Sequence, residues 1–173
     1  MKNYMNFIRI LEKNDVSNIK FEDLIGRLPA SVIESLKNCE QNETHHPEGS
    51  VYEHIRLVFE FAKRVYGDID LMISGIFHDL GKISTKNYVE KDGVKKVTYH
   101  GHEEKCEEYI DKYIHLYSDL HPNIEKIKEI CLNHMKAHNY NDIMTDKRKK
   151  KFRETEKYFI DIMRFALCDK KGR

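Results

Sequence analysis

Proline and glycine are scarce in this chain, at 3 and 8 residues in 173. Sandwiches, barrels and low-complexity linkers use such residues freely at their turns, so the shortage points to helices. A charge excess of one sign is missing too: 30 Lys and Arg face 29 Asp and Glu, for a net charge of +1. That balance implies no global grip on nucleic acid, so any such contact must come from a local patch. The four cysteines, Cys39, Cys106, Cys131 and Cys168, form no C-x-x-C pair. A zinc knuckle is thereby disfavoured, and free thiols in a reducing cytoplasm are the expectation. No apolar run approaches a membrane span, and the N-terminus mixes Lys2, Arg9 and Glu12 into its apolar residues, unlike a signal peptide. A chain of this length fits one domain, able to bury roughly 70% of its unfolded surface.

Apolar residues recur at helical spacing through most of the chain. Tyr4, Phe7, Ile8 and Leu11 mark a helix over 3–13, and residues 1–27 read as an N-terminal helical extension. A short helix over 21–28 follows, and Pro29 opens another with Val32, Ile33 and Leu36 on its apolar face. After a polar loop at 41–50, Ser50 and Glu53 predict a capping box at the head of a helix running to Gly67. Asp68 caps a helix from Ile69 to about Leu80, apolar nearly all round and therefore central, which Gly81 is expected to end. The pattern breaks at 87–99, where Asp92-Gly93 between two strand-like runs predicts a β-hairpin with a type I′ turn. Helices are expected at about 102–117, 122–138 and 147–170. The fold class is all-α: a bundle of about seven helices with a small hairpin insertion.

The chemistry concentrates in Ile76-Phe77-His78-Asp79-Leu80-Gly81-Lys82. It sets an imidazole, a carboxylate and an ammonium beside a helix end. Adjacent helical residues point about 100° apart, so His78 and Asp79 serve one centre only near such an end. Upstream stands His46-Pro47-Glu48-Gly49-Ser50-Val51-Tyr52-Glu53-His54. Downstream stand Gly101-His102-Glu103, His134 and the terminal Asp169-Lys170-Lys171-Gly172-Arg173. His54, His78, Asp79 and Asp169 make a set of two imidazoles and two carboxylates carried on three helices. Such a set suits Mn, Fe, Co, Ni or Zn better than Ca, with Mg a further candidate.

In this order the residues resemble the HD superfamily of metal-dependent phosphohydrolases. More narrowly, they are similar to the HD domain attached to some bacterial CCA-adding tRNA nucleotidyltransferases. The HPEG-x-V-x-x-H, HDLGK, GHE and D-x-x-GR segments all occur, and the resemblance runs from near Leu28 to Arg173. It implies a divalent metal on His54, His78, Asp79 and Asp169, with Asp79 also orienting the nucleophilic water and Lys82 neutralising phosphoryl charge. His102 and His134 match histidines of two-metal relatives and are candidates for a second metal or for substrate, with His138 as the spare. His46 and Arg153 are candidates for substrate phosphate. His45, His100, His115 and His121 are expected at the surface.

The run Lys147-Arg148-Lys149-Lys150-Lys151-Phe152-Arg153 carries six cations. Such a run is usually a solvated helix face, but beside the metal site it would hold RNA phosphates. Gly49-Ser50 followed by Asp68-Ile69-Asp70 mimics a nucleotidyltransferase signature. Its 17-residue gap is one amphipathic helix rather than a strand and turn, so tail synthesis is not expected. The implied activity is phosphohydrolysis of nucleotides or RNA ends, of the 2′,3′-cyclic phosphodiesterase, 2′-nucleotidase or phosphatase type. The alternatives are a 5′-deoxynucleotidase and a non-catalytic RNA- or nucleotide-binding module; a purely structural metal is a third.

Overall fold

A computed structural model of the chain describes residues 16–42, 46–91 and 93–172. The expected helix at 3–13 lies outside these residues, as do Asp92 of the hairpin turn and Arg173. Among the described residues the fold is helical with one small antiparallel sheet.

Helices α1 (Phe21–Ile25) and α2 (Ala30–Lys37) open the described chain. Part of the segment read as an extension belongs to the core, since Val16, Phe21, Leu24 and Ile25 are buried in it. Phe21 meets Phe59 edge-on at 5.5 Å. Helix α3 (Val51–Tyr66) starts where Ser50 Oγ accepts from Glu53 N at 3.2 Å. The expected box is only half closed: the Glu53 carboxylate accepts from Arg56 Nε at 2.9 Å instead. Gly67 ends α3 at φ 57, a left-handed position.

Helix α4 (Ile69–Phe77) is the axis of the bundle. Asp68 Oδ1 caps it by accepting from Asp70 N and Leu71 N at 2.9 and 3.1 Å. Every residue from Leu71 to Phe77 is buried, against α3 and the later helices that start at His102, Ile124 and Phe159. Each large apolar side chain so buried contributes roughly 1.5–3 kcal/mol relative to exposure. The single turn α5 (Lys82–Thr85) leads into strands β1 (Asn87–Lys91) and β2 (Val94–Thr98), which pair from Asn87↔Thr98 to Lys91↔Val94. Gly93 takes the left-handed conformation the turn needs.

Helix α6 (His102–Tyr113) passes into a 3-10 helix at Ile114–Leu120 rather than continuing as one α-helix to 117. Helix α7 (Ile124–His138) begins behind Asn123, whose Oδ1 accepts from Lys126 N at 3.1 Å. The single helix expected over 147–170 is two: α8 (Asp146–Thr155) and α9 (Phe159–Lys171). Side chains of α7 hold the break. Glu129 Oε1 accepts from Tyr158 N at 2.8 Å, and Asn133 Nδ2 donates to Glu156 Oε2 at 3.1 Å. Seven helices are eight residues or longer among the described residues, and none is long and apolar enough to cross a membrane.

Candidate metal centre

The centre forms where α4 stops. His78 N still donates to Ser74 O at 2.9 Å, and the chain then turns through Asp79, Leu80 and Gly81. His78 and Asp79 thus lie just past the helix and point inward together, both buried. Gly81 does not end α4 through a left-handed cap as expected; its φ is −60. Its role is steric. A Cβ there would lie 2.0 Å from His102 O, so only glycine lets the head of α6 sit against this turn. Gly172 does the same at the other end: a Cβ would lie 2.7 Å from Val58 N. The tail of α9 therefore lies on α3 one turn beyond His54, which brings Asp169 to it.

Three histidines repeat one device. His78 Nδ1 lies 3.0 Å from Gly75 O, His102 Nδ1 2.8 Å from Tyr99 O, and His134 Nδ1 2.6 Å from Cys131 O. In each case the carbonyl three residues earlier accepts a hydrogen bond from Nδ1–H, which leaves Nε2 of the neutral ring as a bare acceptor aimed inward. These acceptors then crowd. His102 and His134 meet Nε2 to Nε2 at 3.3 Å, and His78 and His54 at 3.4 Å. Between His102 and His134 two facing lone pairs repel unless a cation sits between them; at His54, whose Nε2 also lies 2.9 Å from Asp169 Oδ1, a proton or a metal cation can fill that place.

Asp79 stands between the two pairs. Its Oδ2 is 3.4 Å from His78 Nε2 and 3.6 Å from His54 Nε2; its Oδ1 is 3.3 Å from His102 Nε2. The donor atoms of His54, His78 and Asp79 lie within 4.8 Å of one another, and so do those of Asp79, His102 and His134. Asp169 Oδ1 adds a contact to His54 Nε2 at 2.9 Å. Asp79 Oδ2 is buried without a directed hydrogen bond; Lys82 Nζ at 2.7 Å makes an ionic contact only. An orphaned carboxylate oxygen among imidazole acceptors fits divalent cations of intermediate hardness.

The electrostatics agree. Burial alone would strip the proton from His54, yet Asp169 and Glu48 hold it and raise the pKa to about 9. Burial pushes His78 down to about 3 and also lowers His134, which leaves both neutral as ligands must be. Against its own burial, Asp79 is held far below the carboxylate range by Lys82 and the surrounding histidines. Asp169, equally buried, is held down by His138 and His54.

The other expected residues fall unevenly. Lys82 is buried between Asp79 and Gln41 Oε1, to which its Nζ donates at 2.6 Å. His138 does not join His102 and His134; its Nε2 pairs with Asp169 Oδ2 at 2.6 Å. His46 is on the wall of the cavity with Nδ1 2.8 Å from Glu48 Oε1, and burial lowers its pKa to about 4. His100, expected at the surface, is exposed but also lines the cavity. Arg153 is not brought to the site; it sits on the exposed side of α8 and does not line the cavity.

Three contributors escaped the sequence reading. Glu48, within the polar loop at 41–50, lies 2.8 Å from both His46 Nδ1 and His54 Nδ1. A carboxylate in a Pro-Gly turn just before a capped helix with an inward histidine was the available signal. Gln41 reaches Lys82 because its backbone N donates to Gly49 O at 2.8 Å, a pairing no local pattern announces. Lys170, next to Asp169, lines the cavity. That cavity measures about 830 Å³ and opens from the centre past the hairpin residues Val97, Thr98 and Tyr99.

Comparison with known proteins is consistent with this arrangement. The protein-family profile of the HD domain matches residues 51–163, about two thirds of the chain. That span includes His54, His78, Asp79, His102 and His134, and leaves Asp169 and the His46–Glu48 turn outside. No curated protein and no solved structure matches the chain. With two imidazole pairs closing on one aspartate inside the matched span, the chain belongs to the HD-domain family of metal-dependent phosphohydrolases.

Proposed function

We propose that the protein hydrolyses phosphoesters of nucleotides or RNA ends at a centre where Asp79, shared by two donor sets, would help to hold two divalent cations, with 2′,3′-cyclic phosphates and the derived phosphomonoesters as first substrates. The observation that carries this is the pair of facing Nε2 contacts, 3.4 and 3.3 Å, on either side of one carboxylate. His54, His78, Asp79 and Asp169 would hold one cation, and Asp79, His102 and His134 the other.

Bound there, divalent cations would supply a water of lowered pKa and a Lewis acid for a phosphoryl oxygen. The chain supplies the rest. Asp79 offers one oxygen to each donor set, which fixes their separation. Glu48 and the backbone carbonyls lock the imidazole orientations. Lys82, anchored on Gln41, is the cation nearest the reacting phosphoryl group and offsets its growing charge. The 830 Å³ cavity has room for a nucleoside beside the phosphate, within the usual range of about 300–1,000 Å³ for ligand sites. The HPEG, HDLGK, GHE and D-x-x-GR segments, read as resembling the HD domain of CCA-adding enzymes, are the reason to try RNA-end chemistry as the first substrate class.

The test is a panel of Mn, Ni, Co, Fe and Mg against 2′,3′-cyclic AMP, 2′-AMP, 3′-AMP and 5′-dAMP. Metal-dependent turnover of the cyclic or 2′ substrates is expected, and its loss in Asp79→Asn with the helical circular dichroism intact. Turnover of 5′-dAMP alone would replace this reading with a 5′-deoxynucleotidase. Metal binding without any turnover would leave a binding module or a structural metal.

A further inference from the structure

The family match and the centre leave α8 unexplained. Its ten residues carry six cations, Lys147 to Lys151 and Arg153, against Asp146 and Glu154. The whole chain is only +1, so this one helix holds more positive charge than the net of the molecule. Like charges three and four residues apart weaken a helix, so the run works against its own element.

The cations are also unmatched. Elsewhere on the surface, Lys128 pairs with Glu107 and Asp111, Lys157 with Glu125, Arg27 with Asp119 and Arg164 with Asp161. On α8 only Lys150 meets a carboxylate, Glu154 at 3.9 Å. Lys147, Arg148, Lys151 and Arg153 have no carboxylate partner among the described residues, and all are exposed. Phe152 faces the other way, buried against Tyr140 and Phe159 at 6.2 and 5.7 Å, and so fixes which side of α8 looks outward.

The helix that carries this surface is tied to the cavity wall through Lys149. Asn139 and Asp142 line the cavity wall. Lys149 holds the segment between them: its Nζ donates to Asn141 O at 3.5 Å and lies 5.7 Å from the Tyr140 ring centroid. Lys170 stands on the cavity wall itself. Lysines therefore occur at the centre (Lys82), on the wall (Lys170) and where α8 meets the rim (Lys149).

We propose that α8 is a docking surface for the phosphate backbone of a single-stranded polynucleotide whose end enters the cavity. The inference rests on the phosphohydrolase reading for the identity of the cavity, and on charge and position for α8. A single strand fits because the reacting end must leave any duplex to reach a buried centre. A helix of ten residues is about 15 Å long, enough for a few consecutive phosphates.

The experiment compares a short single-stranded RNA ending in a 2′,3′-cyclic phosphate with 2′,3′-cyclic AMP. It uses the full chain and a Lys147→Gln/Arg148→Gln/Lys151→Gln variant. Oligonucleotide affinity is read by fluorescence anisotropy from 50 to 300 mM salt, independently of turnover. Wild type should bind with steep salt dependence, and the variant's log–log slope should be shallower by about two, three contacts at ~0.7 each. The ratio of oligonucleotide to mononucleotide kcat/KM should fall at least tenfold in the variant. Equal salt slopes for the two proteins would overturn the proposal. So would α8-dependent binding to phosphatidylserine vesicles without oligonucleotide binding, which would make α8 a membrane-facing surface. Salt-dependent oligonucleotide binding through α8 with no turnover under any metal would keep the docking surface and reject the phosphohydrolase reading.

Discussion

Single residues set the tolerances of this centre, and Gly81 sets the narrowest. A methyl group 2.0 Å from His102 O cannot be absorbed by a flexible neighbour, because the obstacle is backbone. Gly81→Ala must push the head of α6, and His102 with it, away from Asp79. Overpacking of this kind costs roughly 1–3 kcal/mol. A lower melting temperature is expected, together with loss of one of two metal-binding steps by calorimetry. Two unchanged steps would refute the close-packing role. Gln41 makes a subtler demand. Its amide oxygen is the neutral anchor of Lys82, whose other neighbours are the Asp79 carboxylate and, at 5.7 Å, the Tyr99 ring. With Gln41→Leu the ammonium keeps only Asp79 and the Tyr99 ring and is drawn tighter onto Asp79, away from an incoming phosphate. Inhibition by inorganic phosphate should weaken on the order of tenfold, about 1.4 kcal/mol, with metal affinity retained. An unchanged phosphate inhibition constant would mean that Gln41 does not position Lys82.

Elements were legible in the sequence wherever their signals are local. The Ser50 and Asp68 caps, the Gly67 stop and the hairpin at 87–98 all follow from short-range chemistry. The break between α8 and α9 was not legible, because no proline or glycine occurs between 147 and 170. It is imposed from outside by Glu129 and Asn133 on α7. The histidines proposed as ligands stand out through motif spacing, yet the carbonyls that orient them and the approach of Glu48 and Gln41 depend on packing. The head of α4 shows the same dependence. Lys126 of α7 reaches Asp68 at 3.0 Å, Asp70 at 3.3 Å and Asp161 of α9 at 3.6 Å. This one ammonium ties together three of the helices that position the candidate ligands. Lys126→Met would leave three carboxylates facing one another, at a cost on the order of 2 kcal/mol. Urea unfolding should show that loss with the denaturant slope preserved; an unchanged midpoint would mean that solvent screens the cluster.

For the molecule as a whole, the centre turns folding stability into a function of pH and metal. In the metal-free protein, His54 has its pKa raised from 6.5 to about 9. Its contribution is complete below pH 6.5 and is lost as pH rises through 9, when Asp79, Asp169 and Glu48 lose their proton-bearing partner. His78 and His46 have the opposite sign. Their pKa values fall from 6.5 to about 3 and about 4, so keeping them neutral and buried costs stability as pH drops below 6.5. Glu48, lowered from 4.5 to about 2, loses its own contribution further down. The chelated protein should therefore show a melting temperature that peaks near pH 6.5 and declines on both sides. A bound divalent cation takes the place of the His54 proton and competes with protons at every other ligand. Saturating Mn should abolish the alkaline decline, steepen the acid one and move the peak to higher pH, while binding near pH 7 releases a proton. Thermal scans from pH 5 to 10 with EDTA or Mn, and calorimetry in buffers of different ionisation enthalpy, read both effects. Coincident peaks with and without metal, or no proton release, would show that His54 is not a ligand and that the cation, if bound, sits elsewhere.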